Sequence, residues 1–158
     1  MKLSKNFSLR EMTRSGTAIR NGIKNEPNEG QLVALTALCQ SILQPLRNHF
    51  GSISVSSGLR VPELNKLIGG SATSDHCKGF AADFEVKDPA VSNMFLAQYI
   101  KKNMKFKQLI LEFYESKEGP NSGWVHISYD PAGDNPGTNI KRASRITGKT
   151  VYKTGLQE

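Results

Sequence analysis

Apolar positions along this chain change their period, and the changes mark out its elements. Over residues 28–48, Leu32, Leu35, Leu38, Cys39, Ile42, Leu43 and Leu46 recur at three- and four-residue spacing, which predicts a helix with one buried face. Pro45 lacks a backbone donor, so a kink or an early end is expected in the last turn. Ser8 followed by Glu11 has capping-box spacing and predicts a short helix near the start. Residues 13–27 are polar, contain glycine and read as a loop.

Further on the period shortens to two. Ile53-Ser54-Val55-Ser56 alternates, and so does Ala81-Ala82-Asp83-Phe84-Glu85-Val86, which sets Asp83 and Glu85 on one face and Ala82, Phe84 and Val86 on the other. Residues 109–113 and 124–129 read as largely apolar strands broken by Glu112 and by His126 and Ser128. Pro62 opens a helix that Gly69-Gly70 stops, and Asp88-Pro89 is read as the start of another, buried through Phe95, Leu96, Tyr99 and Ile100. After Asp130 the chain is rich in Gly, Pro and Asn to residue 139, then basic, with weak strand character around 145–146 and 150–152. This order predicts an α+β domain with a central, mainly antiparallel sheet and helices against one face.

Composition narrows the classes. A length of 158 residues with 37% hydrophobic and 22% charged residues suits a single domain spanning 1–158, expected to be monomeric. No apolar run approaches the roughly 20 residues of a membrane helix, so no stable membrane association is expected. The first residues hold no apolar core of a secretory signal, so synthesis in the cytoplasm and delivery by another route are expected. The net charge of +7 favours polyanions. The basic residues are scattered, however, and the densest group (Lys101, Lys102, Lys105 and Lys107) reads as a solvated helix end running into a strand, so nucleic acid is not an expected partner. Cys39 falls on the apolar helix face and reads as a buried free thiol, while Cys77, without a CxxC partner, is not expected to bind metal. His49 reads as a dipole partner at a helix end or as a surface residue.

The chemistry concentrates between Ser56 and Phe84. His76 and Asp83 lie in and just after a Ser/Thr/Gly loop, and His126 stands on a strand well downstream. Two imidazoles and a carboxylate are a three-ligand set that leaves one position of tetrahedral zinc open. The spacing alone is equally that of a hydrogen-bonded histidine and a surface aspartate. Gly79 and the Ala81-Ala82 pair would let the backbone pass close to a metal.

The wider pattern decides between them. Ser57-Gly58-Leu59-Arg60, Asn65, Gly69-Gly70, Ser74-Asp75-His76, Gly79-Phe80-Ala81-Ala82-Asp83 and Trp124-Val125-His126 resemble the zinc D-alanyl-D-alanine peptidases, especially the small single-domain branch often encoded by bacteriophages as endolysins or virion proteins. The resemblance runs from about residue 7 to residue 129. It implies the hedgehog/DD-peptidase fold, a zinc cofactor held by His76, Asp83 and His126, and bacterial peptidoglycan as the partner. Hydrolysis of stem-peptide bonds, as a carboxypeptidase or an endopeptidase, is the implied activity. Arg60 matches the family arginine that holds a substrate carboxylate or carbonyl; a salt bridge tying its loop to the sheet is the other reading. The segment from Ser57 to Arg60 is thus expected to serve substrate, leaving only His76 and Asp83 for the metal.

The general base departs from the family. Several members carry an acid three residues before the last ligand, where this chain has Gly123, and many carry a histidine where it has Trp124. Glu112, a carboxylate in an apolar strand beside the one bearing His126, is the expected base, ahead of Glu115, Asp75 and Asp130. Without that acid, a non-catalytic zinc domain is the alternative. Ser74 braces the loop or faces substrate. Trp124 lines the cleft or fills core, and Tyr114 and Tyr129 stand near enough in sequence to serve as oxyanion donors.

Overall fold

A computed structural model describes residues 1–157. Strands β1 (Ile53–Ser57), β2 (Ala81–Val86), β3 (Gln108–Glu112), β4 (Trp124–Ser128), β5 (Ile140–Ile146) and β6 (Lys149–Thr154) form one sheet in the order β1-β2-β4-β3-β5-β6. All pairings are antiparallel except β3 with β5. The helices are α1 (Leu9–Thr13), α2 (Gly16–Arg20), α3 (Glu29–Leu38), α4 (Gln44–Phe50), α5 (Pro62–Ile68) and α6 (Asn93–Asn103). The class is α+β with a mostly antiparallel sheet, as the element order implies.

Strand alternation sorts the sheet into two unlike faces. Val55, Phe84, Leu109, Leu111, Val125 and Ile127 join the apolar core, where α6 packs through Leu96, Ala97 and Ile100. Ser54, Ser56, Asp83, His126, Ile110 and Glu112 point the other way, into a cleft of about 1060 Å³. Leu35, Leu38, Ile42, Leu43 and Leu46 are fully buried, each worth about 1.5–3 kcal/mol of transfer free energy. Cys39 lies among them, and burial, with the Glu11 charge, pushes its thiol up to about 12. No helix among the described residues is long and apolar enough to cross a membrane.

Four expectations need correction. The helix read over residues 28–48 does not end at Pro45. It opens into a π turn over Cys39–Leu43, in which the Gln44 N–H reaches back to the Cys39 carbonyl, and continues as α4. The wider turn absorbs the proline's missing donor and its crowding of the carbonyl four residues back. Residues 13–27 are not wholly loop, because Ser15 accepts from the Ala18 N–H at 3.1 Å and starts α2. Helix α6 starts after Ser92, whose hydroxyl accepts from the Phe95 N–H, while the Asp88 carboxylate closes a turn on the Ala90 N–H. The weak strands of the tail are full strands, because β3 offers β5 a free edge in parallel register from Leu109↔Ile140.

Gly79 also takes a different part. It sits at φ 75°, and a methyl group there would meet the Gln31 carbonyl oxygen at 2.7 Å, so its closeness is to α3 and not to a metal. Gly79→Ala should therefore cost about 2–4 kcal/mol of unfolding free energy, measured by urea denaturation.

Candidate metal centre

Strand pairing brings the first two donors together. Asp83 and His126 are direct partners across β2 and β4. His76 arrives on a short 3-10 turn, Asp75–Lys78, whose cap Ser74 accepts from the His76 N–H at 3.2 Å. Asp83 Oδ1 lies 3.2 Å from His76 Nε2 and 2.8 Å from His126 Nδ1, and all three residues are buried. Their donor atoms fall within 4.8 Å of one another, and the group is able to hold a metal ion.

A backbone contact tests whether a cation belongs there. His76 Nδ1 stands 2.7 Å from the Gly58 carbonyl, which only accepts, so that nitrogen carries the proton. Burial lowers the pKa of His76 and disfavours a second proton on the ring. Its Nε2 lone pair thus faces a carboxylate oxygen. Burial pushes the Asp83 carboxyl up, but the two imidazoles beside it outweigh burial and hold it well below the usual range, so it is ionised. Two electron-rich atoms aimed at each other 3.2 Å apart need a cation between them. The donor set fits zinc, with Gly58 fixing the ring as metal-ligating histidines require.

Gly58 therefore serves the metal, a correction to the expectation that the stretch from Ser57 to Arg60 serves substrate alone. A side chain at Gly58 would run into the backbone of Met12, and the Leu59 N–H donates to the Met12 carbonyl, so α1 sets the height of that carbonyl. The Arg60 N–H donates to the His76 carbonyl. Asn25, in a segment read as featureless loop, is buried and bonds Thr13 O, Leu59 O and the Val61 N–H. Lys107, read as solvated, donates to Asp75 at 2.6 Å and so clamps the turn that carries His76. Neither pattern nor spacing signals these two contacts.

Arg60 reaches within 3.9 Å of Asp83 Oδ2, and its buried Nε has no hydrogen-bond partner among the described residues. Glu112 lines the same cleft, as do Ser74 and Trp124. The Trp124 Nε1–H donates to Glu112 Oε2 at 2.6 Å, so the indole stands on the site face and holds the carboxylate. Burial and the Asp83 charge raise the Glu112 pKa above its ordinary value.

Gly123 cannot carry the family's acid. Its φ is 66°, and a side chain there would collide with the Glu112 carbonyl and the backbone of Phe113 and Tyr114. Asp75 is paired with Lys107, and Asp130 accepts from the Ala132 N–H. Tyr114 joins the core and Tyr129 packs against it, so neither lines the cleft. Tyr152, which the sequence reading passed over, does line it.

The Lys107–Asp75 pair has a measurable consequence. Lys107→Met should weaken zinc binding about tenfold by freeing the turn, and His76→Ala by far more, both read by competition with a chelating dye.

No curated protein matches the chain. The family model described as Peptidase M15 matches residues 5–128, a span that holds the three donors, Arg60, Glu112 and Trp124. This agrees with the resemblance to zinc D-alanyl-D-alanine peptidases seen in the motifs. With most of its length covered and a buried His-Asp-His group in place, the chain belongs to the Peptidase M15 family of metallopeptidases.

Proposed function

We propose that this protein is a zinc-dependent peptidase that hydrolyses peptide bonds in the stem peptides of bacterial peptidoglycan. The observation that carries the proposal is the convergence of His76, Asp83 and His126 in one cleft with a half-buried carboxylate, Glu112, on the same sheet face. Zinc at these three residues would supply Lewis-acid polarisation of the scissile carbonyl and acidify water beside it. Glu112 Oε2 is occupied by the Trp124 indole, so Oε1 takes the proton of the attacking water and returns it to the leaving amine. Arg60 holds a substrate carboxylate or carbonyl through its forked donors, and Ser74, its oxygen engaged by the His76 N–H, offers its hydroxyl proton to the cleft. The +7 charge concentrates the protein on anionic wall polymer in a salt-dependent way. On the strength of the motif resemblance, we read it as a lysin of the phage type, reaching the wall at lysis or within a virion.

Digestion of purified peptidoglycan with zinc-loaded protein, followed by mass spectrometry, tests the activity. Wild type should release new peptides, His76→Ala none, and Glu112→Gln should lose about 10²–10³-fold in kcat with little change in KM. A non-catalytic zinc domain would keep its metal and release nothing from any wall type.

The raised Glu112 pKa gives a second expectation for chelator-treated protein. The folded chain holds this proton more tightly than the unfolded chain does, so stability falls as pH rises from the ordinary glutamate value through the raised one. At neutral pH the ionised group therefore costs stability. Glu112→Gln keeps an oxygen for the Trp124 indole and should raise Tm by ~2–4 °C, read by scanning calorimetry.

A further inference from the structure

The hairpin of β5 and β6 lies beyond the residues matched by the family model, yet it reaches the cleft that holds the metal donors. Strand register sets out one row on that face: Trp124 opposite Glu112, Glu112 opposite Ala143, and Ala143 opposite Tyr152. Ala143 is the small member and is fully buried, so the Glu112 carboxylate and the Tyr152 ring are the side chains that β3 and β6 present to the cleft from this row. Tyr152 is 54% exposed, a large aromatic left open beside a carboxylate and a metal site. No hydrogen bond among the described residues engages its hydroxyl. Burial and the Glu112 charge raise the phenol's pKa, so at neutral pH it remains a donor.

The reach of this arrangement follows from the sheet. From His126 on β4 to Tyr152 on β6 there are three inter-strand steps, about 14 Å at ~4.8 Å each. An extended peptide covers that distance with about four residues. Arg60 stands on the other side of the donors, beside Asp83, so cleft wall is present on both sides of the metal group.

We infer that Tyr152 is a specificity-determining residue that contacts the peptide several residues from the scissile bond, on the Glu112 side, and that the enzyme acts within longer, cross-linked stem peptides in preference to a terminal dipeptide. This rests on the peptidase reading above. The ring packs on the peptide, and the hydroxyl donates to a backbone carbonyl.

The test compares a D-alanyl-D-alanine dipeptide derivative with a cross-linked stem peptide. Cleavage is measured with the zinc-loaded full chain, and affinity by calorimetry with the chelator-treated full chain. Wild type should favour the longer peptide in both. Tyr152→Ala should lower kcat/KM and affinity for it about tenfold while leaving the dipeptide unchanged, with Tyr152→Phe losing only part. Tyr152 is exposed, so the variants should fold, which circular dichroism checks. Equal effects of Tyr152→Ala on both peptides, or none on either, would overturn the inference. If wild type cuts neither peptide but Tyr152→Ala still lowers affinity for the long one, the subsite stands and the peptidase reading falls.

Discussion

The pairing of β2 with β4 in a register that sets Asp83 opposite His126 is the constraint on which this site depends. In a strand the side-chain period is two, so a slip of one residue would carry Asp83 into the apolar core and Phe84 out into the cleft. The burial of Phe84, Val125 and Ile127 against the helices opposes that slip. The same hydrophobic free energy that folds the sheet therefore holds two metal donors within hydrogen-bond distance. A cost is accepted in return, since three polar groups lie buried together, and a cation shared among them would offset it.

The loops around the sheet complete what register begins. His76 is not on a strand, and its place is over-determined by contacts from four directions. Gly58 accepts from its ring, Ser74 caps its turn, Lys107 pulls on the neighbouring Asp75, and the Gln31 amide bonds the Cys77 carbonyl. Each comes from a different part of the chain. Such a turn loses little entropy when a metal binds, because its conformation is already set.

The absence of a side chain at Gly123 follows from backbone geometry. In this chain the segment before β4 turns through a left-handed glycine packed against residues 112–114. That packing closes position 123 to any side chain. It also brings β3 alongside so that Glu112 is paired with Trp124, whose indole binds the carboxylate. A carboxylate supplied from the adjacent strand occupies the cleft that an acid at 123 could not reach.

The sequence by itself determined the α+β class, the core face of the strand bearing Asp83, the long apolar helix and the residue types of the metal donors. These follow from local periodicity and from a motif whose pieces, His76 with Asp83 and then His126 well downstream, are each legible in the chain. Even the departure at Gly123 was legible, because a missing acid is visible without coordinates. Only the tertiary structure decided that Gly58 orients His76, that Asn25 and Lys107 brace the site, and that Tyr152 enters the cleft. The start of α6 at Ser92 and the full length of β5 and β6 were decided there too. The physical reason is common to all of these. A carbonyl's direction, an ion pair between residues 75 and 107, and a parallel strand at a sheet edge arise from long-range contacts, which leave no periodic trace in the segments they join.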